Sequence, residues 1–199
     1  MAAIDHFNSN LGYVRNLLAL ARAVDATTTS AVDVGDIQRA AIVMVVSALD
    51  HFVHERVREG MLDALSGTRP RTAAFLRFEM SMSAVLEGQA PAAGTDWFEE
   101  AIRDKHGHRP FLKAEDIADA LRLVSGVELW TAVASQTGHA GPQAVKADIK
   151  VIVDRRHKIA HEADLDPTQP GLRWPISDGL AAGAVDTIQA VVNGIEACV

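Results

Sequence analysis

The chain is predicted to be all-α, an up-and-down bundle of about six to seven helices with no sheet. Three observations carry this. Apolar residues recur at i, i+3, i+4 and i+7 along several long segments. The run RAAIVMVVSALDHFV (Arg39–Val53) is apolar nearly all round, as a central buried helix must be. No segment alternates cleanly between apolar and polar, and no repeat or low-complexity tract is present.

The elements follow in order. Ile4–Val24 places Phe7, Leu11, Val14, Leu17, Leu18 and Ala21 on one face. Ala26–Ser30 reads as a polar, β-branched break. Asp33 or Asp36 caps a second helix that runs to about Leu65. Its β-branched stretch Ile42–Val46 also permits a buried strand, but length and helix-forming flanks favour helix. Ser66–Arg71 is a break, with Pro70 placed to open a third helix over Arg71–Leu86. Glu87–Thr95 reads as a loop, with Thr95 capping a short helix over Trp97–Lys105. His106 and His108 sit in the turn that ends it and are expected to face solvent.

Lys113–Ser135 is helical by pattern, with Gly126 as a possible interruption. Pro142 opens the next helix, Gln143–Ala163, after the turn Thr137–Pro142. Asp164–Pro175 carries three of the seven prolines and must be irregular. Ser177 caps a last helix with Leu180, Ala184, Ile188, Val191, Val192 and Ile195 on one face.

A length of 199 residues with 48% hydrophobic and 23% charged side chains fits a single globular domain spanning residues 1–199. The one cysteine, Cys198, excludes an internal disulfide framework and fits a reducing cytoplasm. The start has no basic segment followed by an apolar run, so no secretory signal is expected. The longest apolar stretch, Ala40–Val46, is far short of the ~20 residues of a membrane span, and no membrane partner is expected. The net charge of −7 argues against nonspecific nucleic-acid binding by the whole surface, though not against a local basic site.

One such site stands out. Lys146, Lys150, Arg155, Arg156 and Lys158 face only Asp148 and Asp154 over Lys146–Lys158, a local +3 within an acidic chain. The segment ends Arg156-His157-Lys158-Ile159-Ala160-His161. Asp154, His157 and His161 share a helical stripe, whereas Arg156 lies about 140° round from His161. A solvated charged face is the ordinary meaning of such a run. Two chemistries would give it another. His157 and His161 at i, i+4 have metal-ligand spacing, with His51 and His54 as further donors, but no three-ligand set is evident and no metal or other cofactor is expected. Alternatively, a histidine can move the proton of a ribose 2′-OH or of the leaving oxygen, and an arginine can hold the scissile phosphate. Metal-free RNA cleavage needs little more, because RNA brings its own nucleophile. Arg155 and Lys158 would add plain charges on phosphates. Cys198, Ser47 and Ser125 lack any nucleophile context, and no phosphate-binding glycine loop or dinucleotide fingerprint is present.

The hexapeptide Arg156–His161 resembles the Arg, polar residue, variable residues, His motif of HEPN domains, with His157 where Asn is usual and Ala160 in agreement. Ser47–Val53 is similar to the family's central-helix signature, with Asp50 where Glu is more common. Lys113–Ala134 resembles the helix before the motif, and Arg173–Ser177 the lead-in to the last helix. The likeness covers most of the chain and points to the RiboL-PSP-HEPN type. It implies a helical bundle that forms homodimers with two motifs facing across a cleft, and a metal-independent endoribonuclease leaving a 2′,3′-cyclic phosphate. It further implies a place in toxin–antitoxin or phage-defence systems, with an antitoxin or defence protein as a possible partner. Carried over, Arg156 binds the phosphate, His161 is acid or base, His157 contacts RNA, and Asp50 sits on the opposing helix. Two alternatives stay open: a noncatalytic HEPN-like module that binds RNA or protein, and a metal-binding helical bundle.

Overall fold

The computed structural model describes residues 2–28, 32–90 and 94–199. Among these there are eight α-helices, one short 3-10 turn and no sheet. The helices are α1 (Ala3–Thr28), α2 (Gly35–Ser66), α3 (Met82–Gly88), α4 (Asp96–His106), α5 (Ala114–Leu121), α6 (Leu129–Thr137), α7 (Pro142–His161) and α8 (Asp178–Cys198). Among the described residues no helix is long and apolar enough to cross a membrane.

Helix α2 is the axis, as its all-round apolar run predicted. It packs against α1, α8, α7, α5 and α4. Val45, Val46, Leu49, Phe52, Val53, Val57 and Met61 are fully buried along it, so the strand alternative at Ile42–Val46 is settled as helix. Helix α1 buries the predicted stripe of Phe7, Leu11, Val14, Leu18 and Ala21, and α8 buries Val185, Ile188, Val191, Val192 and Ile195. The Ser177 hydroxyl accepts from Leu180 N at 3.3 Å and Pro142 stands at the start of α7, as expected.

Four expectations are corrected. Helix α1 continues through Thr28, across the start of the supposed break at Ala26–Ser30; Ser30 itself lies outside the described residues. The third helix over Arg71–Leu86 does not form. Pro70 opens no helix, and Arg71–Met80 runs irregularly through a 3-10 turn at Phe75–Arg77 before α3. The side chains here have another task. Arg69 donates to Val124 O and Val199 O, Arg71 to Ala64 O and Leu65 O, and Thr72 to Arg122 O and Leu123 O. They satisfy the orphan carbonyls at the ends of other helices, which holds the segment across those ends. The same contacts explain the third correction: Lys113–Ser135 is two helices, parted over residues 122–128. Carbonyls that would have continued α5 accept from Thr72 and Arg69 instead, and the Trp130 indole turns back to donate to Ala114 O at 2.9 Å. The fourth is Glu87–Thr95, whose first residues close α3; residues 91–93 lie outside the described residues. Thr95 precedes α4 without a side-chain capping bond.

Gly60 sets how closely α2 meets the α5–α6 link. A Cβ there would lie 2.7 Å from the Val124 side chain. Only glycine allows this approach without displacement.

Candidate functional site

The site lies where α7 ends and the chain turns into the 162–177 loop. Val145, Ile149 and Ile152 are the buried face of α7. Continuing that stripe at helical spacing brings Arg156 to the inner side, while His157 and His161 emerge one above the other on the exposed side.

The turn after α7 is built by two left-handed residues, Ala163 (φ 52°) and Asp164 (φ 59°). Non-glycine residues adopt this backbone only where surroundings hold it. Here Asp164 is fully buried at 0% exposure. Its Oδ2 accepts from Arg39 Nε at 2.6 Å and from Arg155 Nη2 at 2.7 Å. Both guanidinium groups also donate to Trp174 O, at 3.0 and 3.2 Å, and Trp174 N donates back to Asp164 O at 2.8 Å. The Asp164 amide closes on Lys158 O at 3.0 Å. Arg39 from the start of α2, Arg155 from α7 and the loop are thereby locked into one clamp.

This changes the meaning of the basic run. Lys146 pairs with Glu115 at 3.7 Å, Lys150 with Asp154, and Arg155 with Asp164. Asp148 in turn faces His139 Nε2 at 3.1 Å. The local +3 is therefore largely neutralised within the protein. Arg155 is committed to the clamp, where burial, offset by Asp164 and reinforced by Arg39, pushes its guanidinium below its ordinary value. The cations of this run without a carboxylate partner among the described residues are Arg156 and Lys158. Lys158 Nζ rests 4.8 Å from the Trp174 ring centroid. Arg156 Nε is buried and has no hydrogen-bond partner.

His157 and His161 are brought together. Both are exposed, their ring centroids are 4.7 Å apart, and neither ring hydrogen-bonds to another described residue. Arg156 is next to them in sequence but on a neighbouring face. An unpartnered arginine, two free imidazoles and one lysine at a helix end can receive a phosphodiester and exchange protons with it.

Asp50 is not part of this group. Its Oδ1 accepts from Phe111 N at 2.6 Å and stands 3.7 Å from His54 Nε2. Arg39, which marks the clamp on α2, is eleven positions earlier, about 16 Å along the helix axis. The expectation that His106 is exposed is corrected too. It packs between Phe78 and Phe111, at ring distances of 5.8 and 5.6 Å. Burial, then the proximity of His54, Arg109 and Lys105, lowers its imidazole to about 4. His51 lies 5.9 Å from His6, ring to ring. Among the described residues no group of three or more His, Cys, Asp or Glu side chains is placed to hold a metal ion.

Sequence reasoning missed Asp164 and Arg39. A signal existed: Arg39 is a charged residue within an otherwise apolar helix face, and a buried arginine demands a carboxylate. In comparisons of the chain with protein-family models, with curated proteins and with solved structures, nothing matches.

Proposed function

We propose that the protein is a metal-independent endoribonuclease whose site is Arg156 and His161, with His157 and Lys158 contacting RNA. One observation carries this reading. Arg156, with a buried and unpartnered Nε, immediately precedes the exposed His157 on a neighbouring face of α7, while the adjacent Arg155 is fully employed in the Asp164 clamp. A guanidinium left with neither a carboxylate nor a carbonyl partner among the described residues can seat a phosphate. Arg156 holds the scissile phosphate and offsets the charge that grows on it. His161 exchanges a proton with the 2′-OH or the leaving oxygen.

A homodimer with the sites at its cleft belongs to the same proposal. Beside Arg155 and Lys158 runs a groove of about 640 Å³ between α7 and α8. It is bordered by Val151 and Leu180, which are 68% and 61% exposed, and by Gly183, where a side chain would meet nothing. Two-fold contact through this apolar strip would set two α7 ends near one another without stacking their charges. Leu180→Asp is expected to give a monomer in sedimentation at ~100 µM where the parent chain is a dimer. A role as a toxin or phage-defence effector, with an antitoxin or defence partner, rests on the family resemblance alone.

The test is RNA cleavage by purified protein in EDTA, with the double variant Arg156→Ala/His161→Ala beside it. Cleavage by the parent chain and none by the variant supports the reading. Cleavage by the variant, or activity only with added divalent metal, contradicts it. RNA that is bound but left intact by the parent chain favours the noncatalytic module.

A further inference from the structure

We infer that His157 is a second proton-transfer residue, so that His157 and His161 form an acid–base pair within one chain. This rests on the endoribonuclease reading and goes beyond it, because that reading gives His157 only an RNA contact. The juxtaposition is the argument. The two rings project from one face at i, i+4 with centroids 4.7 Å apart, both in solvent. Three other histidines are engaged by different side chains: His139 bonds Thr137 Oγ1 at 2.6 Å and Asp148 at 3.1 Å, and His54 and His106 pack on Phe111. Among the described residues the His157 and His161 rings have no hydrogen-bond partner, which leaves their nitrogens open to a ligand.

Cleavage through the 2′-OH needs two groups in opposite protonation states. One neutral ring takes the proton of the 2′-OH. The 2′-oxygen bonds to phosphorus and the bond from phosphorus to the 5′-oxygen breaks. The other ring, as imidazolium, gives its proton to the departing 5′-oxygen. The products are a 2′,3′-cyclic phosphate and a 5′-hydroxyl. The pair ends with its proton moved from one ring to the other, and exchange with water restores it. The nitrogens of two adjacent exposed rings can reach two oxygens of one phosphodiester whose charge Arg156 offsets, and no second chain is needed to supply the missing proton carrier. Asn at position 157 would keep a hydrogen-bonding contact but could carry no proton near neutral pH.

That difference sets the experiment. kcat and KM are measured on RNA in EDTA from about pH 5 to 9 for the parent chain, His157→Asn, His157→Ala and His161→Asn. His157→Asn is expected to lower kcat about 100-fold or more, with KM within about threefold, and to turn a bell-shaped pH profile into a single limb. Added imidazole is expected to restore part of the rate to His157→Ala. The inference is overturned if His157→Asn keeps kcat within about threefold, or if it raises KM alone and leaves the bell intact. If the parent chain cleaves RNA and His161→Asn abolishes it while His157→Asn does not, only this inference falls. If the parent chain cleaves no RNA, the endoribonuclease reading falls and takes this one with it.

Discussion

Beside the middle of α2, His54 and His106 are packed against the Phe111 ring; at the end of α7, His157 and His161 lie in solvent with no partner but each other. The two pairs contain the same chemistry and are put to opposite uses. Burial among Phe78 and Phe111 takes the charge off His106, at about 4. It thereby makes the ring a packing residue of the α4 end. Exposure leaves the rings of the α7 pair open to a ligand. The neighbouring arginines repeat the contrast over one residue. Arg155 is spent on a buried carboxylate, and Arg156 is left over. What distinguishes a candidate site from a structural cluster here is the absence of an internal partner rather than residue type.

The largest effect should fall on the unpartnered side. Arg156→Ala and His161→Ala should each lower RNA cleavage by about 10²–10⁴, the worth of a lost transition-state donor or proton carrier. Thermal and urea unfolding should stay within about 0.5 kcal/mol of the parent chain for His161→Ala, since exposed side chains contribute little to stability. Cleavage that persists in both would erase the contrast.

The partnered side should respond in stability. Asp164→Ala removes the buried carboxylate that Arg39 and Arg155 share, leaving Arg39 only the exposed Asp36 carboxylate at 3.5 Å, and should cost about 3–5 kcal/mol in urea unfolding. Arg155→Ala should likewise destabilise, although the sequence alone assigned it to phosphate binding. A clamp variant that unfolds like the parent chain but loses RNA affinity would reverse the roles given to Arg155 and Arg156.

A smaller effect concerns His106 and acid. Its folded value of about 4 lies below the ordinary 6.5, so between those pH values the unfolded chain takes up a proton that the folded chain does not. Stability should therefore be flat above about pH 6.5 and fall as the pH drops toward 4, by about 2 kcal/mol once partial solvent screening is allowed for. His106→Phe should remove that slope from a series of urea melts. A slope unchanged in the variant would assign the acid sensitivity elsewhere.

The smallest effect is expected at Lys158, whose ammonium lies over the Trp174 ring. Lys158→Ala should cost about 0.5–1 kcal/mol in stability. It should reduce the slope of log affinity against log salt for RNA by roughly one contact.

The axis of the bundle was legible in the sequence because the first half of α2 is apolar nearly all round: Ala41, Ile42, Val45, Val46, Leu49, Phe52 and Val53 leave little room for a solvent face. The motif helix was legible through Pro142 at its start and the stripe of Val145, Ile149 and Ile152. Two kinds of feature were not. Arg71–Leu86 carries a helical pattern, yet Arg69, Arg71 and Thr72 cap carbonyls of α2, α5 and the chain end, partners that no local window contains. The split of Lys113–Ser135 is the same event seen from the other strand of contacts. At the site, Arg155 and Arg156 are indistinguishable by type and adjacent in order. Only the fold, which brings Asp164 and Arg39 to one side of α7, tells them apart.

The most direct test of the central claim uses one RNA that the protein cuts at a mapped position, and the same RNA with a single 2′-deoxynucleotide on the 5′ side of that cut, both in EDTA. The account predicts that the parent RNA yields a 2′,3′-cyclic phosphate and a 5′-hydroxyl, that the substituted RNA is not cut at that position, and that its other cuts continue. Cleavage across the 2′-deoxynucleotide would contradict it, because the nucleophile would then have to come from the protein or from water.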